Sequence, residues 1–259
     1  HLGNPVLDRF FDSGFLGRID GEIAFTTDGH VVSPPFFRGG DIGRLAVCGT
    51  VNDLAVCGAK GLAISCGLVL EEGFPIETLE RVLSSMRDAA AEAGVFVACG
   101  DTKVVEKGKG DGIFINTAAI GVMTPGWRPS YEAIRPGDRI LLSGTMGDHY
   151  IAVLVARQGL SVAAPVLSDM APLGGLLLPA VERFGKKVRI MRDPTRGGVG
   201  VTLNEIATAA KARFVLEEER LPVRESVRGV CEILGFDPLY LANEGKALLV
   251  VDASAAEEA

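Results

Sequence analysis

Val95-Phe96-Val97-Ala98-Cys99-Gly100-Asp101-Thr102-Lys103 begins as an apolar run and ends in a Gly-Asp-Thr-Lys quartet. Val95–Ala98 reads as a short buried strand. A buried strand that empties into polar residues fits an open α/β sheet, where ligands gather beyond the carboxyl ends of the strands. Before it, residues 75–93 read as an amphipathic helix, with Pro75 near the start and Gly94 just past the end. Residues 62–70 read as an apolar strand, and 113–122 as another. Toward the N-terminus, the apolar pattern over 41–57 predicts a helix with Asp41 as its N-cap. Leu45, Val47, Cys48, Val51, Leu54, Ala55 and Val56 lie nearly all round that helix, so it is expected to be buried. Short strands over 22–27 and 30–33 precede a Pro/Gly loop at 34–40.

The apolar pattern breaks around Pro125–Pro136. The expected division is a domain over 1–127 and a second over 128–259. In the second, strands are expected at 139–143, 187–192 and 213–217. Helices are expected from Asp148 and over 173–183, 198–210 and 223–234. Two further strands flank Asn243-Glu244-Gly245. Both halves are mixed α/β. His1 in place of Met, and an Ala/Glu run at Ala259 that reads as a helix just starting, predict that both ends are cut.

The chain has 259 residues, 47% apolar and 23% charged, with a net charge of −7. That composition suits a globular protein with a real core, and it carries no basic footprint for nucleic acid or an anionic membrane. No apolar run has the length of a membrane span, and no secretory signal opens the chain. Five cysteines form no C-x-x-C pair, and Cys48 and Cys57 fall on opposite faces of one helix. They read as small buried hydrophobes in a reducing cytosol.

Four aspartates carry most of the chemical signal: Asp28, Asp53, Asp101 and Asp193. Carboxylates set at strand ends or in polar breaks suit hard cations. Mg²⁺ in particular is held by one or two carboxylates together with phosphate oxygens. Asp53 stands out, because a carboxylate in an apolar helix is costly unless it is paired or bound to a cation. A salt bridge to a neighbouring Arg or Lys is the competing reading. In Asp193-Pro194-Thr195-Arg196-Gly197-Gly198, glycines open a helix and Arg196 adds a charged fork, which together suit phosphate. Lys103 reads equally as an acid–base group and as a solvent-facing loop lysine. Thr-Asp-Gly around Asp28 is also an ordinary turn. Asn243-Glu244-Gly245-Lys246 reads first as a hairpin turn, which leaves Glu244 without a structural task. Asp148-His149 reads as a helix cap, while His30 and Trp127 carry no signal.

Taken together, these segments resemble the aminoimidazole-ribonucleotide-synthetase-like (PurM-like) ATP-binding superfamily. Within it they look most like the carbamoyl dehydratases of hydrogenase maturation, the HypE family. The stretches that carry the likeness are Phe36–Gly43, Gly49-Thr50-Val51-Asn52-Asp53-Leu54-Ala55-Val56-Cys57-Gly58, Gly100–Val105, Asp193–Val199 and Asn243–Lys246. Asp-Pro-Thr-Arg-Gly-Gly-Val and Gly-Asp-Thr-Lys-Val-Val are the specific ones, whereas Asn-Asp is shared across the superfamily.

The resemblance implies a two-domain α/β protein that dimerises through its N-terminal sheets, here with its C-terminal domain truncated. It implies ATP and Mg²⁺ in the cleft between domains. Asp28, Asn52, Asp53, Asp101, Thr102, Thr195, Arg196, Gly197, Gly198 and Asn243 would hold the nucleotide. Asp28, Asp53, Asp101 and Asp193 are the metal candidates, and Lys103 and Glu244 the catalytic ones. It also implies a cytoplasmic protein whose C-terminal cysteine is carbamoylated by HypF and dehydrated to a thiocyanate, which passes on to the HypC–HypD complex. The last cysteine here is Cys231, inside an expected helix, so the chain as given is expected to bind ATP but not to modify itself. Two other readings stand beside this one: a kinase of a small molecule such as selenide, and a non-catalytic nucleotide-binding scaffold.

Overall fold

The computed structural model describes residues 19–162 and 164–258. In the first half, β1 (Ile23–His30), β4 (Ala59–Glu71), β5 (Phe96–Val105) and β6 (Ile113–Met123) form one sheet in the order β1-β6-β4-β5. β4 and β5 run parallel, joined by helix α2 (Ile76–Ala93), and the other pairs are antiparallel. Helices α1 (Ile42–Val56) and α2 cover one face. Between α1 and β1, a small hairpin of β2 (Phe36–Phe37) and β3 (Gly40–Asp41) occupies the expected Pro/Gly loop.

Thirteen of the 15 residues of α1 are buried. Its apolar residues face all round because three cores meet on it. Ile42, Ala46, Val51 and Leu54 pack under the first sheet. Leu45 packs with Phe37, Val153 and Met170, and Ala55 and Val56 join the core of the second half. Asp41 caps it, its carboxylate accepting from Gly43 N at 2.7 Å and Arg44 N at 3.1 Å. α2 ends at Gly94 in the left-handed region, φ 69°.

In the second half, β7 (Arg139–Leu142), β8 (Val188–Arg192) and β9 (Leu248–Val251) form an antiparallel sheet ordered β7-β9-β8. Around it lie α3 (Asp148–Gln158), α4 (Gly174–Phe184), α5 (Gly198–Ala210) and α6 (Glu225–Leu234). Among the described residues no helix is long and apolar enough to cross a membrane.

Four expectations need correction. The two strands before the Pro/Gly loop are one continuous strand, β1. Residues 213–217 form no strand; Phe214 packs into the core but Val215 is exposed, and no strand of the sheet pairs with the segment. No hairpin surrounds Asn243-Glu244-Gly245, because only β9 follows and a 3₁₀ turn at Pro238–Tyr240 precedes. Finally, β5 does not stop at Ala98. Its pairing with β4 continues through Gly67↔Asp101 and Val69↔Lys103 to Glu71↔Val105, so the Gly-Asp-Thr-Lys quartet lies inside an edge strand.

Trp127, which carried no signal in the sequence, joins the halves. Its indole nitrogen donates to Val188 O at 2.9 Å. Its ring fills the space where a Cβ on Gly58, φ +80°, would sit 2.4 Å away. Trp127→Ala is expected to cost about 3–5 kcal/mol in urea unfolding. A loss below about 1 kcal/mol would show that the indole does not hold the halves together.

Candidate active site

Alternate residues of β1 face the same way, so Thr26, Asp28 and His30 all turn toward α1. Thr26 Oγ1 donates to Asp53 Oδ2 at 2.8 Å, tying the strand to the one acid of that helix. From the second half, Asp193 follows β8 and Glu244 lies on the irregular path into β9. Asp28, Asp53, Asp193 and Glu244, with Thr195 and Arg196, line one cleft of about 410 Å³ between the halves. Gly49 on α1 makes room for this approach. A Cβ there would stand 3.4 Å from Asp28 Oδ2 and 3.9 Å from Glu244 Oε2.

His30 belongs to the site although nothing in its immediate sequence announced it. The available signal was its i,i+2 spacing from Asp28 on one strand face. Thr50 Oγ1 donates to Ala46 O at 2.9 Å and so accepts from Thr117 Oγ1 at 2.5 Å. Thr117 Oγ1 also lies 3.1 Å from His30 Nε2 and 3.4 Å from Asp28 O, to which it can donate. His30 Nε2 also stands 3.6 Å from Asp28 Oδ2. Burial lowers the His30 pKa, against the opposing pull of Asp28.

The carboxylates repel one another in a poorly solvated place. Burial, then the charges of Asp53 and Asp28, push Asp193 up to about 7. Burial also raises Asp53, opposed by the Thr26 hydrogen bond. Glu244 rises well above its ordinary range through burial, then Asp193, Asp169, Asp28 and Asp53. Arg192, a further residue that sequence reading passed over, supplies partial relief to Asp53 and Asp193 while pairing with Glu205 at 2.9 Å. Among the described residues, no three His, Cys, Asp or Glu side chains are gathered closely enough to hold a metal ion by themselves. The arrangement instead suits a hard cation that brings part of its own coordination shell, as Mg²⁺ does with phosphate oxygens and water.

The Asp193–Gly198 turn is tight. Thr195 N donates to Asp193 O at 3.0 Å and Gly198 N to Thr195 O at 3.1 Å. Gly197 and Gly198 have φ +74° and +63°, and a Cβ on Gly198 would lie 2.5 Å from Leu241 O. Both are therefore required by the backbone path, which delivers Thr195 and Arg196 to the cleft and starts α5 with no side-chain cap.

Not every expected residue arrives. Asp101 and Lys103 form an exposed ion pair, 2.7 Å apart, outside the cleft. The register explains this. Asp28 pairs with Thr117, and Thr117 with Cys66, which lies opposite Gly100. Residues in register share a face, so Asp101 and Lys103 stand on the sheet face opposite Asp28. Thr102 is exposed. Asn52 and Asn243 are buried and engaged with backbone. Asn52 donates to Ala171 O at 3.0 Å and Glu244 O at 3.1 Å and accepts from Leu173 N at 2.7 Å. Asn243 accepts from Gly147 N at 2.8 Å and donates to Pro194 O at 3.1 Å and Leu241 O at 2.9 Å. These amides hold Glu244 and its flanks. Asp148 is not a cap either. Gly147 holds that position, and Asp148 is buried beside Arg224 Nε at 3.3 Å, while His149 lines the cleft. Cys57 is exposed at the end of α1, so the cysteines are not all buried; Cys231 is.

Residues 12–123 match the AIR synthase related protein N-terminal domain family, and 135–259 the AIR synthase related protein C-terminal domain family. The chain is 51% identical over 256 residues to the carbamoyl dehydratase HypE of Azotobacter vinelandii, covering 99% of this chain and 75% of that protein. A crystal structure of the hydrogenase maturation protein HypE in complex with ATP aligns at a TM-score of 0.95 and 50% identity, over 100% of this chain and 76% of the other. HypE in a HypE–HypF complex aligns at 0.89 and 48% identity, over 99% and 83%. The chain belongs to the HypE family of AIR synthase related proteins.

Proposed function

We propose that this chain binds Mg-ATP in the interdomain cleft and dehydrates a carbamoylated C-terminal cysteine to a thiocyanate, the cyanide source for [NiFe]-hydrogenase. The observation that carries this reading is the convergence of Asp28, Asp53, Asp193 and Glu244 on one cleft, in a family member 50% identical to a HypE solved with ATP. Thr195 and Arg196, at the start of α5, are positioned for the phosphates. Asp28, Asp53 and Asp193 would hold Mg²⁺, which when bound neutralises charge on the transferring phosphoryl group.

An amide oxygen is a poor leaving group, and phosphorylation turns it into phosphate. The thiocarbamate oxygen bonds to the γ-phosphorus as the bond to ADP breaks. The C–O bond then breaks, phosphate departs with the electron pair, and loss of both N–H protons leaves R–S–C≡N. Glu244, recessed in the cleft, is the proposed base for those protons. Lys103, ion-paired with Asp101 on the sheet face opposite Asp28, is given no step in this cleft. The sheet face that carries Lys103 also carries Ile23 and Phe25, 55% and 69% exposed, which supports burial of this face in a homodimer. By family, HypF supplies the carbamoyl group and HypC–HypD receives the cyanide, in the cytoplasm.

The test uses the chain extended by a C-terminal tail bearing the carbamoylated cysteine, with Mg-ATP and intact-mass detection. Loss of one water from the tail, with ADP and phosphate released, is the expected result. ATP turnover with an unchanged tail would assign a small-molecule acceptor, and no turnover would assign a scaffold.

A further inference from the structure

Lys246 follows Glu244 by two residues, and the chemistry above does not use it. Its stem crosses Gly144, where a Cβ would meet Lys246 Cε at 2.6 Å. Its ammonium reaches Asp169 Oδ2 at 3.2 Å, with the side chains only 13% and 3% exposed. Buried ion pairs contribute little net stability, because desolvation offsets their attraction, and an apolar pair of similar volume does as well or better. Stability therefore does not account for this one.

Its surroundings do. The other carboxylate oxygen, Asp169 Oδ1, accepts the backbone N–H of Glu244 at 3.2 Å. Between Glu244 and Lys246, Gly245 lies flat against the same segment, since a Cβ there would come within 1.8 Å of Asp169 O. Asn52 holds the Glu244 carbonyl from the opposite side at 3.1 Å. Ser143 fixes the next residue, its Oγ accepting from Ala247 N at 2.8 Å. The Glu244 main chain is thus gripped at both its N–H and its C=O, and Lys246 orients the carboxylate that grips the first.

We infer that Asp169 and Lys246 are a positioning pair, which sets the Glu244 carboxylate where it meets the reacting amide without touching substrate themselves. This rests on the reading of Glu244 as the base. Positioning errors near 1 Å cost rate rather than binding, by up to about 100-fold.

The test compares two double variants in the tail-bearing protein. Asp169→Leu with Lys246→Met replaces the pair by apolar groups and removes the acceptor. Asp169→Asn with Lys246→Met removes both charges but keeps an oxygen for the Glu244 amide. The first is expected to melt close to the parent and to keep its KM for ATP within about twofold, while dehydration at saturating ATP slows roughly 30- to 100-fold. The second is expected to recover at least about tenfold of that loss. Parent-like dehydration in the Leu/Met protein, or no recovery in the Asn/Met protein, overturns the inference. Should the Leu/Met protein not fold, hydrogen exchange at the Glu244 amide of the parent decides. Protection of at least about 100-fold is expected, and random-coil exchange overturns it. Glu244→Gln separates the two claims. If that variant keeps the full rate, the base assignment itself fails; if it is inactive while the Leu/Met protein is normal, only the positioning role fails.

Discussion

Glu244→Gln is expected to slow tail dehydration about 1000-fold or more while leaving ATP bound at least as well as in the parent. Gln preserves the volume and cannot take a proton, so it isolates the acid–base role. The acid sits among Asp193, Asp169, Asp28 and Asp53, and burial, then these charges, raise its pKa well above the ordinary range. Gln also keeps the shape of the buried side chain, so the fold should change little. Removing one potential negative charge from a crowded anionic cleft should, if anything, favour an anionic nucleotide. The signature is therefore a loss of rate with no loss of affinity. Full dehydration in the Gln variant would move the proton transfer to another group. An equal loss of ATP binding would make Glu244 a ligand rather than a base.

Asp193→Asn should act in two opposite directions. The carboxyl titrates at about 7 in the folded protein against an ordinary 3.8. The folded state thus keeps a proton that the unfolded chain releases. Stability of the nucleotide-free protein is accordingly lost as pH rises from about 3.8 through about 7. Asn removes that dependence, so the variant should be the more stable protein at pH 8, by up to about 4 kcal/mol, and equal to the parent near pH 4. Mg-ATP binding should move the other way, weakening at least about 100-fold, because a proposed metal ligand is gone. Urea unfolding across pH and calorimetric titration with Mg-ATP measure the two effects. A variant that gains stability and binds normally would place the metal on Asp28 and Asp53 alone. One that gains no stability would mean Arg192 already offsets the charge.

Local signals were enough wherever one element satisfied its own needs. Asp41 and Gly94 mark helix ends because the cap and the left-handed residue act within a turn of where they stand. The all-round apolarity of α1 announced its burial for the same reason. Long-range partners defeated the reading elsewhere. Gly100-Asp101 looks like a strand terminator, yet pairing along β4 carries β5 through to Val105. That continuation puts Asp101 and Lys103 on the wrong face for Asp28. Asn243 looks like a turn residue, but its amide is taken by Gly147 and Pro194, 96 and 49 positions away. Of the acids that meet in the cleft, Asp28, Asp53, Asp193 and Glu244 were each visible as isolated polar residues. Their meeting depends on tertiary packing around Gly49, which no spacing in the chain encodes.

Helix α1 contributes side chains to three separate cores, and two of them are built from residues of both halves. The helix works as a common keel. Loosening either half exposes apolar surface that belongs to both, so the energetic boundary between domains is weaker than the gap in the sequence pattern implies. The cleft lies along this keel, with Gly49 and Asp53 lining it. Disturbance of either half is therefore felt at the acids, and occupancy of the cleft braces the whole chain against unfolding.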